Sequence, residues 1–69
     1  MDRTPVKSSN VSAVGYDPST QTMEIEFKDG SVYHYHGVSS ATHSDLISAK
    51  SIGKYVHANV KGQYKHSKI

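Results

Sequence analysis

The chain contains no cysteine and no tryptophan, and only two of its 69 residues are proline. Without cysteine, neither a disulfide nor a thiolate metal site is available to stabilise so short a chain. No apolar run approaches the roughly 18 residues of a membrane-spanning helix, and no secretory signal pattern is present. We therefore expect a soluble, cytoplasmic protein of one domain, residues 1–69, with no membrane partner.

Acidic residues are missing from the last third of the chain. Residues 50–69 carry five lysines and no aspartate or glutamate, whereas residues 1–49 carry six acidic residues against three basic ones. This asymmetry is typical of proteins that meet phosphates or carboxylates, although a solvated lysine-rich tail has the same composition. Because a chain of this length has a small core, we also expect a homo-oligomer.

Three segments in the first half have the composition and alternation of β-strands. They are VSAVGY (11–16), TMEIEFK (22–28) and SVYHYHG (31–37). β-Branched and aromatic residues dominate the first and third, and apolar and polar residues alternate in the second. DPST (17–20) predicts a turn between the first two strands. Residues 1–7 are predicted to be loose.

An Asp-Gly pair between the second and third strands decides which face of that hairpin is buried. With a two-residue loop, Ile25 would face His34. With a three-residue loop that ends at Gly30 in a bulge, Ile25 pairs with Tyr33 instead. A one-residue slip inverts every side chain, and only the second register gathers the apolar residues on one face. Tyr33 and Tyr35 are therefore predicted to face the core, and His34 and His36 are predicted to face outward.

The spacing becomes helical after the third strand. SSATHSDLISAK (39–50) and SIGKYVHANV (51–60) each begin with serine, which can cap a helix, and Gly62 would end the second helix. QYKHSKI (63–69) predicts a short edge strand whose lysines oppose aggregation. The expected fold is α+β, a small antiparallel three- to four-stranded sheet with a short helical segment packed on one face.

Five segments together resemble the KTSC domain. They are SSN (8–10), VGYD (14–17), MEIEFKDGSVYHYHGV (23–38), AKSIGKY (49–55) and VKGQY (60–64). The Tyr33-x-Tyr35 pair and the S-x-G-K-Y of residues 51–55 are the most specific parts. This domain is named for its place at the C-terminus of some lysyl-tRNA synthetases, and it also occurs as a free-standing small protein of bacteria and phages. The resemblance implies the same fold, and the synthetase context implies RNA as a ligand class.

The segment K-S-I-G-K-Y is the first candidate for a ligand site. A serine cap followed by glycine leaves backbone amides free at the start of a helix, where the helix dipole favours anions. The segment is not a P-loop, because serine replaces the first glycine and tyrosine follows the lysine. The alternative is a capped helix whose glycine packs closely on the sheet. The predicted phosphate-binding residues here are Lys50, Ser51, Gly53, Lys54 and Tyr55.

The basic, aromatic tail is the second candidate. Bases can stack on its rings while its lysines meet phosphates, unless the tyrosines are core and the lysines only keep an edge strand solvated. The residues concerned are Tyr55, His57, Lys61, Tyr64, Lys65 and His66. A polar segment before the first strand offers additional contacts, although a turn closed by its own side chains explains it equally. That segment contains Lys7, Ser8, Ser9 and Asn10.

The H-x-H pattern of His34 and His36, with Glu24 opposite, has three interpretations. It could hold a divalent ion, line a subunit interface, or form a charged pair on an open sheet face. Because no third ligand and no nucleophile stand at a diagnostic spacing, we assign no metal site and no catalytic residue, and we expect neither a cofactor nor enzymatic activity.

The expected function is non-catalytic binding of a phosphate-bearing nucleotide at basic pockets shared between subunits of a homo-oligomer. A free-standing bacterial or phage protein of this kind would act by sequestration, for instance of a nucleotide messenger. One alternative is an RNA-binding module that uses the basic, aromatic C-terminal third. Another is a module that binds a protein partner by strand addition.

Overall fold

The computed structural model describes residues 1–69 and contains one five-stranded antiparallel sheet with two helices before the last strand. The strands are β1 (Arg3–Pro5), β2 (Val11–Asp17), β3 (Thr22–Phe27), β4 (Val32–His36) and β5 (Lys65–Lys68). The helices are α1 (Ser40–Ser48) and α2 (Ile52–Asn59). The strands lie side by side in chain order. The fold is therefore α+β, as the sequence predicted, and both helices are too short and too polar to cross a membrane.

The sheet has five strands rather than the predicted three to four, because the N-terminal segment adds an edge strand. Residues 1–7 were expected to be loose, yet β1 pairs with β2 and places Arg3 opposite Gly15. The R-T-P sequence of β1 has no alternation, and all three residues are exposed. The Arg3 side chain instead binds β3, where its Nε donates to Glu24 and its Nη1 lies 3.3 Å from Glu26 Oε1. Long-range pairing, not local propensity, forms this strand.

The hairpin of β3 and β4 has the register that the sequence predicted. Its loop is closed by two backbone hydrogen bonds, from Gly30 N to Phe27 O (3.0 Å) and from Phe27 N to Ser31 O (2.8 Å). Gly30 has φ +92°, which only glycine adopts without strain. Ile25 is consequently opposite Tyr33, and the next inward pair is Met23 and Tyr35.

The core lies between one face of the sheet and the two helices. It is built from apolar residues of β2 and β3, one tyrosine of β4, one residue of α1, two of α2, and one valine beside each helix: Val11, Val14, Met23, Ile25, Tyr35, Val38, Leu46, Ile52, Val56 and Val60. Tyr33 is half-buried against this core, whereas His36 is exposed. The predicted inward tyrosines are thus confirmed, and burial on this face fixes the register.

Both helices begin at the serines expected to cap them. Ser39 Oγ accepts from Thr42 N at 3.2 Å, and Ser51 Oγ accepts from Lys54 N at 3.4 Å. α1 buries only Leu46, so its contact with the sheet is narrow. α2 is shorter than predicted, and Gly62 follows it with φ +78° in the turn that leads to β5.

Candidate functional site

A groove of about 1040 Å³ lies on the helix side of the sheet, between α2 and the hairpin of β3 and β4. Phe27, Tyr33 and Tyr35 line it from the hairpin, and Lys54 and His57 line it from α2. The two α2 residues are three positions apart, so they project from the same side of the helix about 4.5 Å apart along its axis. The groove therefore has an aromatic side and a cationic side.

Positive charge dominates the lining of the groove. The basic residues are Lys28, Lys54, His57, Lys61 and His66. The acidic one is Asp29, whose carboxylate accepts from the Ser31 hydroxyl at 2.6 Å and from the Ser31 amide at 2.9 Å. These hydrogen bonds, of which the one from the hydroxyl has the larger effect, lower the pKa of Asp29 below its ordinary value. With three lysines against one carboxylate already engaged by its own loop, the groove attracts anions.

The aromatic side chains are held in place by one another and by the core. The Phe27 and Tyr33 rings meet edge to face with centroids 5.8 Å apart, and the His66 ring lies 5.8 Å from that of Tyr35. Lys61 Nζ lies 5.2 Å from the centre of the Phe27 ring, within reach of a cation–π interaction. Because Phe27 and Tyr33 are only half-buried, they pack on the core and still face the groove.

The segment before β2 forms one end of the groove, where it meets the first turn of α2. A Cβ built on Gly53 would lie 3.4 Å from both Ser8 Oγ and Asn10 Nδ2, so glycine allows this close approach. Ser8 Oγ accepts from the amides of Asn10 and Val11, both at 3.2 Å. The carbonyl of Asn10 accepts from Lys28 N at 2.9 Å. Ser8 therefore closes the turn, while Asn10 joins α2 to the hairpin.

The opposite face of the sheet is uncovered and carries an ionic cluster. Glu24 is only 8% exposed, and its two oxygens are bound separately by Arg3 and by His34, whose Nε2 lies 2.7 Å from Oε1. Since a carboxylate only accepts, His34 carries a hydrogen on Nε2. The hydrogen bond from Arg3, and to a smaller extent the one with His34, lowers the pKa of Glu24. No group of three histidine, aspartate or glutamate side chains is placed to hold a metal ion, and His34 is hydrogen-bonded to Glu24 on this face.

Comparison with known proteins identifies the family. Residues 7–64 match the family model of the KTSC domain. The chain belongs to the KTSC domain family. It is 38% identical to a small protein of Tsukamurella paurometabola over 61 residues, which cover 88% of this chain and 91% of that protein. The crystal structure of a KTSC domain protein from Yersinia pestis superposes with a TM-score of 0.93 at 38% identity, covering 99% of this chain and 96% of that one.

This KTSC domain is also similar to a segment of much longer proteins. It is 38% identical to part of a lysine–tRNA ligase of a Nostoc species over 63 residues. Those residues cover 91% of this chain but only 11% of the ligase, so the chain spans about a tenth of that relative's length. The family therefore includes both small proteins and segments of synthetases.

The KTSC fold brings together some of the predicted ligand residues and separates others. Gly53, Lys54, His57 and Lys61 line the groove together with Ser9, Asn10 and His66. Ser51 serves as the cap of α2, and Tyr55 packs partly against the core, where burial raises its pKa. The predicted residues that do not line the groove are Lys7, Ser8, Lys50, Ser51, Tyr55, Tyr64 and Lys65. The last two line a shallower depression of about 690 Å³ beside β5.

The hairpin contributes groove residues that sequence reasoning did not assign to the site. Phe27 and Lys28 were considered only as strand residues, and Tyr33 and Tyr35 only as core. No local pattern identifies them, because their role depends on where α2 packs. A signal did exist for the opposite side, since Lys54, His57 and Lys61 recur at the three- and four-residue spacing of one helix face.

Proposed function

We propose that this KTSC domain binds a phosphate-bearing nucleotide, without catalysis, in the groove between α2 and the hairpin. One observation supports this above the others: three lysines, two histidines and three aromatic rings line one open volume. Lysines attract phosphate, and an aromatic face stacks with any base. The groove thus offers cations to the phosphate of a nucleotide and aromatic rings to its base.

The arrangement assigns different parts of the ligand to different sides. Lys54 and Lys61 are exposed, so they can approach a phosphate without a large cost of desolvation. Lys54 also belongs to the first turn of α2, where the helix dipole adds to the attraction of an anion. Tyr33 and Phe27 lie on the other side, where a base would find half-buried rings already fixed by packing. Fixed rings lose little conformational entropy when a ligand stacks on them.

The groove is open, and this supports a binding mode in which subunits share the ligand. Small-molecule sites usually bury about 70–90% of a ligand's surface. A molecule of 28 × 23 × 23 Å does not enclose a nucleotide on all sides. A second copy placed over the groove would supply the missing wall. Such a protein would act by sequestering its nucleotide, a nucleotide messenger being one ligand of this class.

The proposal is tested by thermal shift and calorimetry against nucleoside monophosphates, cyclic dinucleotides and short RNAs. A bound ligand raises the melting temperature by linkage, and Lys54→Gln and Lys61→Gln should each weaken binding by about tenfold. Lys50→Gln is the matched control, because Lys50 is an exposed lysine four residues before Lys54, in the linker between the helices and outside the groove. We expect it to change affinity less than twofold.

Two results would count against the groove. If no compound in the panel binds, the protein is not a nucleotide-binding protein, and strand addition by a protein partner at the β5 edge gains support. If Lys50→Gln weakens binding as much as Lys54→Gln, the phosphate lies at the start of α2 and not in the groove.

RNA binding is the second candidate, and the similarity to lysine–tRNA ligases favours it. An RNA strand contacting several lysines releases counterions, so its affinity should fall steeply with salt, with a slope of about −0.7 per phosphate contact. A single nucleotide in the groove should show a slope near that of one or two contacts. Affinity measured between about 50 and 300 mM salt separates the two functions.

A further inference from the structure

A histidine lies between the two lysines on the cationic side of the groove. Lys54 precedes His57 by three residues on the same face of α2, and Lys61 follows His57 by four. The backbone N of Lys61 donates to Val56 O at 2.9 Å, which keeps this lysine at the end of the helix. A phosphate that contacts both lysines is therefore within reach of the His57 imidazole.

His57 is available to a ligand because no carboxylate is paired with it. The three salt bridges of the protein are all formed by Glu24 or Glu26, on the open face of the sheet. His57 itself is exposed, and the acidic residue of the groove, Asp29, is hydrogen-bonded to Ser31. Both ring nitrogens of a protonated histidine donate, so His57 can give a charged hydrogen bond to an anion.

Few of the groups around His57 change charge between pH 5 and 8. Lysines stay charged and tyrosine hydroxyls stay neutral over this range. The hydrogen bonds from Ser31 lower the pKa of Asp29, and burial raises that of Tyr35, so neither residue titrates here. His66 is therefore the other group of the groove whose charge changes. The charged and titratable residues that line the groove opposite α2 are Lys28, Asp29, Tyr33, Tyr35 and His66.

The second histidine of the groove belongs to its aromatic side. β5 places His66 opposite Tyr35, and the His66 ring lies 5.8 Å from that of Tyr35 and 6.0 Å from that of Tyr33. A base that stacks on these rings lies beside His66, whereas the phosphate lies on α2 beside His57. The two histidines thus meet different parts of the ligand.

We propose that His57 is a third phosphate-binding residue and binds in its protonated form, so that the groove takes up a proton together with its nucleotide. This inference rests on the proposed function of the groove. A negative phosphate favours the protonated form of an adjacent histidine. Because linkage is reciprocal, the proton also raises the affinity for the nucleotide. The groove therefore holds its ligand more tightly below neutral pH and releases it more readily above.

The test measures the affinity for adenosine and guanosine 3′,5′-cyclic monophosphate by calorimetry between pH 5 and 8. A phosphodiester keeps one charge over this range, whereas a phosphomonoester has a second pKa of about 6 and would titrate itself. The wild-type affinity should rise about tenfold from pH 8 to pH 5, as one charge-assisted hydrogen bond forms. At pH 6.5, titrations in two buffers of different ionisation enthalpy should show net uptake of a fraction of a proton.

His57→Gln should remove the proton uptake and reduce the gain in affinity to less than about threefold, since glutamine keeps a neutral donor but cannot be protonated. His36→Gln is the matched control. His36 is also an exposed histidine, but it belongs to the open face, opposite Lys65, and does not line the groove. This variant should keep both the tenfold gain and the proton uptake.

An affinity that does not change with pH, or a tenfold gain that persists in His57→Gln, would overturn the proposed role of His57. Loss of the gain in His66→Gln but not in His57→Gln would also overturn it, because the proton would then be taken up beside the base. The groove would stand in these cases, since Lys54→Gln would still weaken binding at pH 8. Failure of the wild-type protein to bind either cyclic nucleotide at pH 5 or pH 8 would overturn the proposed function as well.

Discussion

The two faces of the sheet are stabilised by different interactions, although β3 and β4 supply residues to both. On the helix side, β3 buries Met23 and Ile25 against aliphatic residues of β2 and both helices. On the open side, the residue between them, Glu24, is also buried, but by Arg3 and His34. One strand thus alternates between apolar packing and ionic pairing. The side that is packed also carries the groove.

A glycine makes the ionic row on the open face possible. Arg3 is opposite Gly15 on the neighbouring strand, Gly15 is opposite Glu24, and Glu24 is opposite His34. Gly15 has no side chain to separate Arg3 from Glu24, and a Cβ there would lie 2.7 Å from the carbonyl oxygen of Asp2. β1 therefore depends on the absence of a side chain at this position. The helix side shows the opposite dependence, on large side chains that fill the core.

The largest expected effect comes from removing a side chain on the helix side. Ile25 is fully buried, so Ile25→Ala loses its burial and leaves a cavity, which costs about 2–4 kcal/mol in the free energy of unfolding. That is most of the stability that a chain of this size usually has. Urea denaturation followed by circular dichroism measures the loss.

Glu26→Ala, on the same strand but on the open face, is the comparison variant. Glu26 is half-buried and pairs only with an exposed arginine at 3.3 Å, so its removal should cost less than about 0.5 kcal/mol. Equal costs for the two variants would mean that the helix side is not the principal source of stability.

Glu24→Gln should have an intermediate effect. The variant keeps a hydrogen-bond acceptor but loses the charge that binds Arg3 and His34, at a cost of about 1–2 kcal/mol. The lower half of this range is favoured because Arg3 reaches solvent. In the wild-type protein the pKa of Glu24 is lowered from 4.5, so its contribution is complete above pH 4.5 and is lost as the pH falls through the lowered value.

Denaturation of wild type and Glu24→Gln at a series of pH values checks this. The difference in stability should be constant above pH 4.5 and should shrink below it. A difference that stays constant to pH 2 would show that the carboxylate charge does not hold β1 on the sheet.

The sequence predicted the helix side better than the open side, for a physical reason. Alternation in β3 and the glycine at position 30 determine the hairpin register locally, so the inward tyrosines could be assigned. β1 could not be predicted in this way. Its three residues have no alternation, and they join the sheet only through pairing with β2 and an ion pair to a residue distant in the sequence. Interactions between residues 21 positions apart, such as Arg3 and Glu24, leave no local pattern.

The candidate groove was predictable in parts but not as a whole. The two polar segments around Asn10 and Gly53 were proposed separately, and only the fold shows that they touch. Lys50 was assigned to the same site as Lys54, but it lies in the linker before α2 and does not line the groove. Tyr33 illustrates the remaining limit: its alternation predicts burial correctly, but half-burial beside α2 leaves its ring on the groove as well.

The smallest expected effect concerns the titratable group that the helix side shields. The His43 ring of α1 stacks on Tyr16 with centroids 4.7 Å apart, and burial lowers the pKa of His43 below 6.5. Its neutral form is therefore favoured in the folded protein, and stability present above pH 6.5 is lost as the pH falls through the lowered pKa.

His43→Phe keeps an aromatic ring on Tyr16 and removes the titration. The variant should thus lose less stability than wild type between pH 7 and 5, a range in which Glu24 stays ionised because its pKa is lowered from 4.5. Tyr16→Phe keeps the ring over His43 and loses only the hydroxyl bond to Val38 O, so it should retain the wild-type slope. Parallel pH profiles for wild type and His43→Phe would show that His43 makes no contribution to the acid sensitivity of the fold.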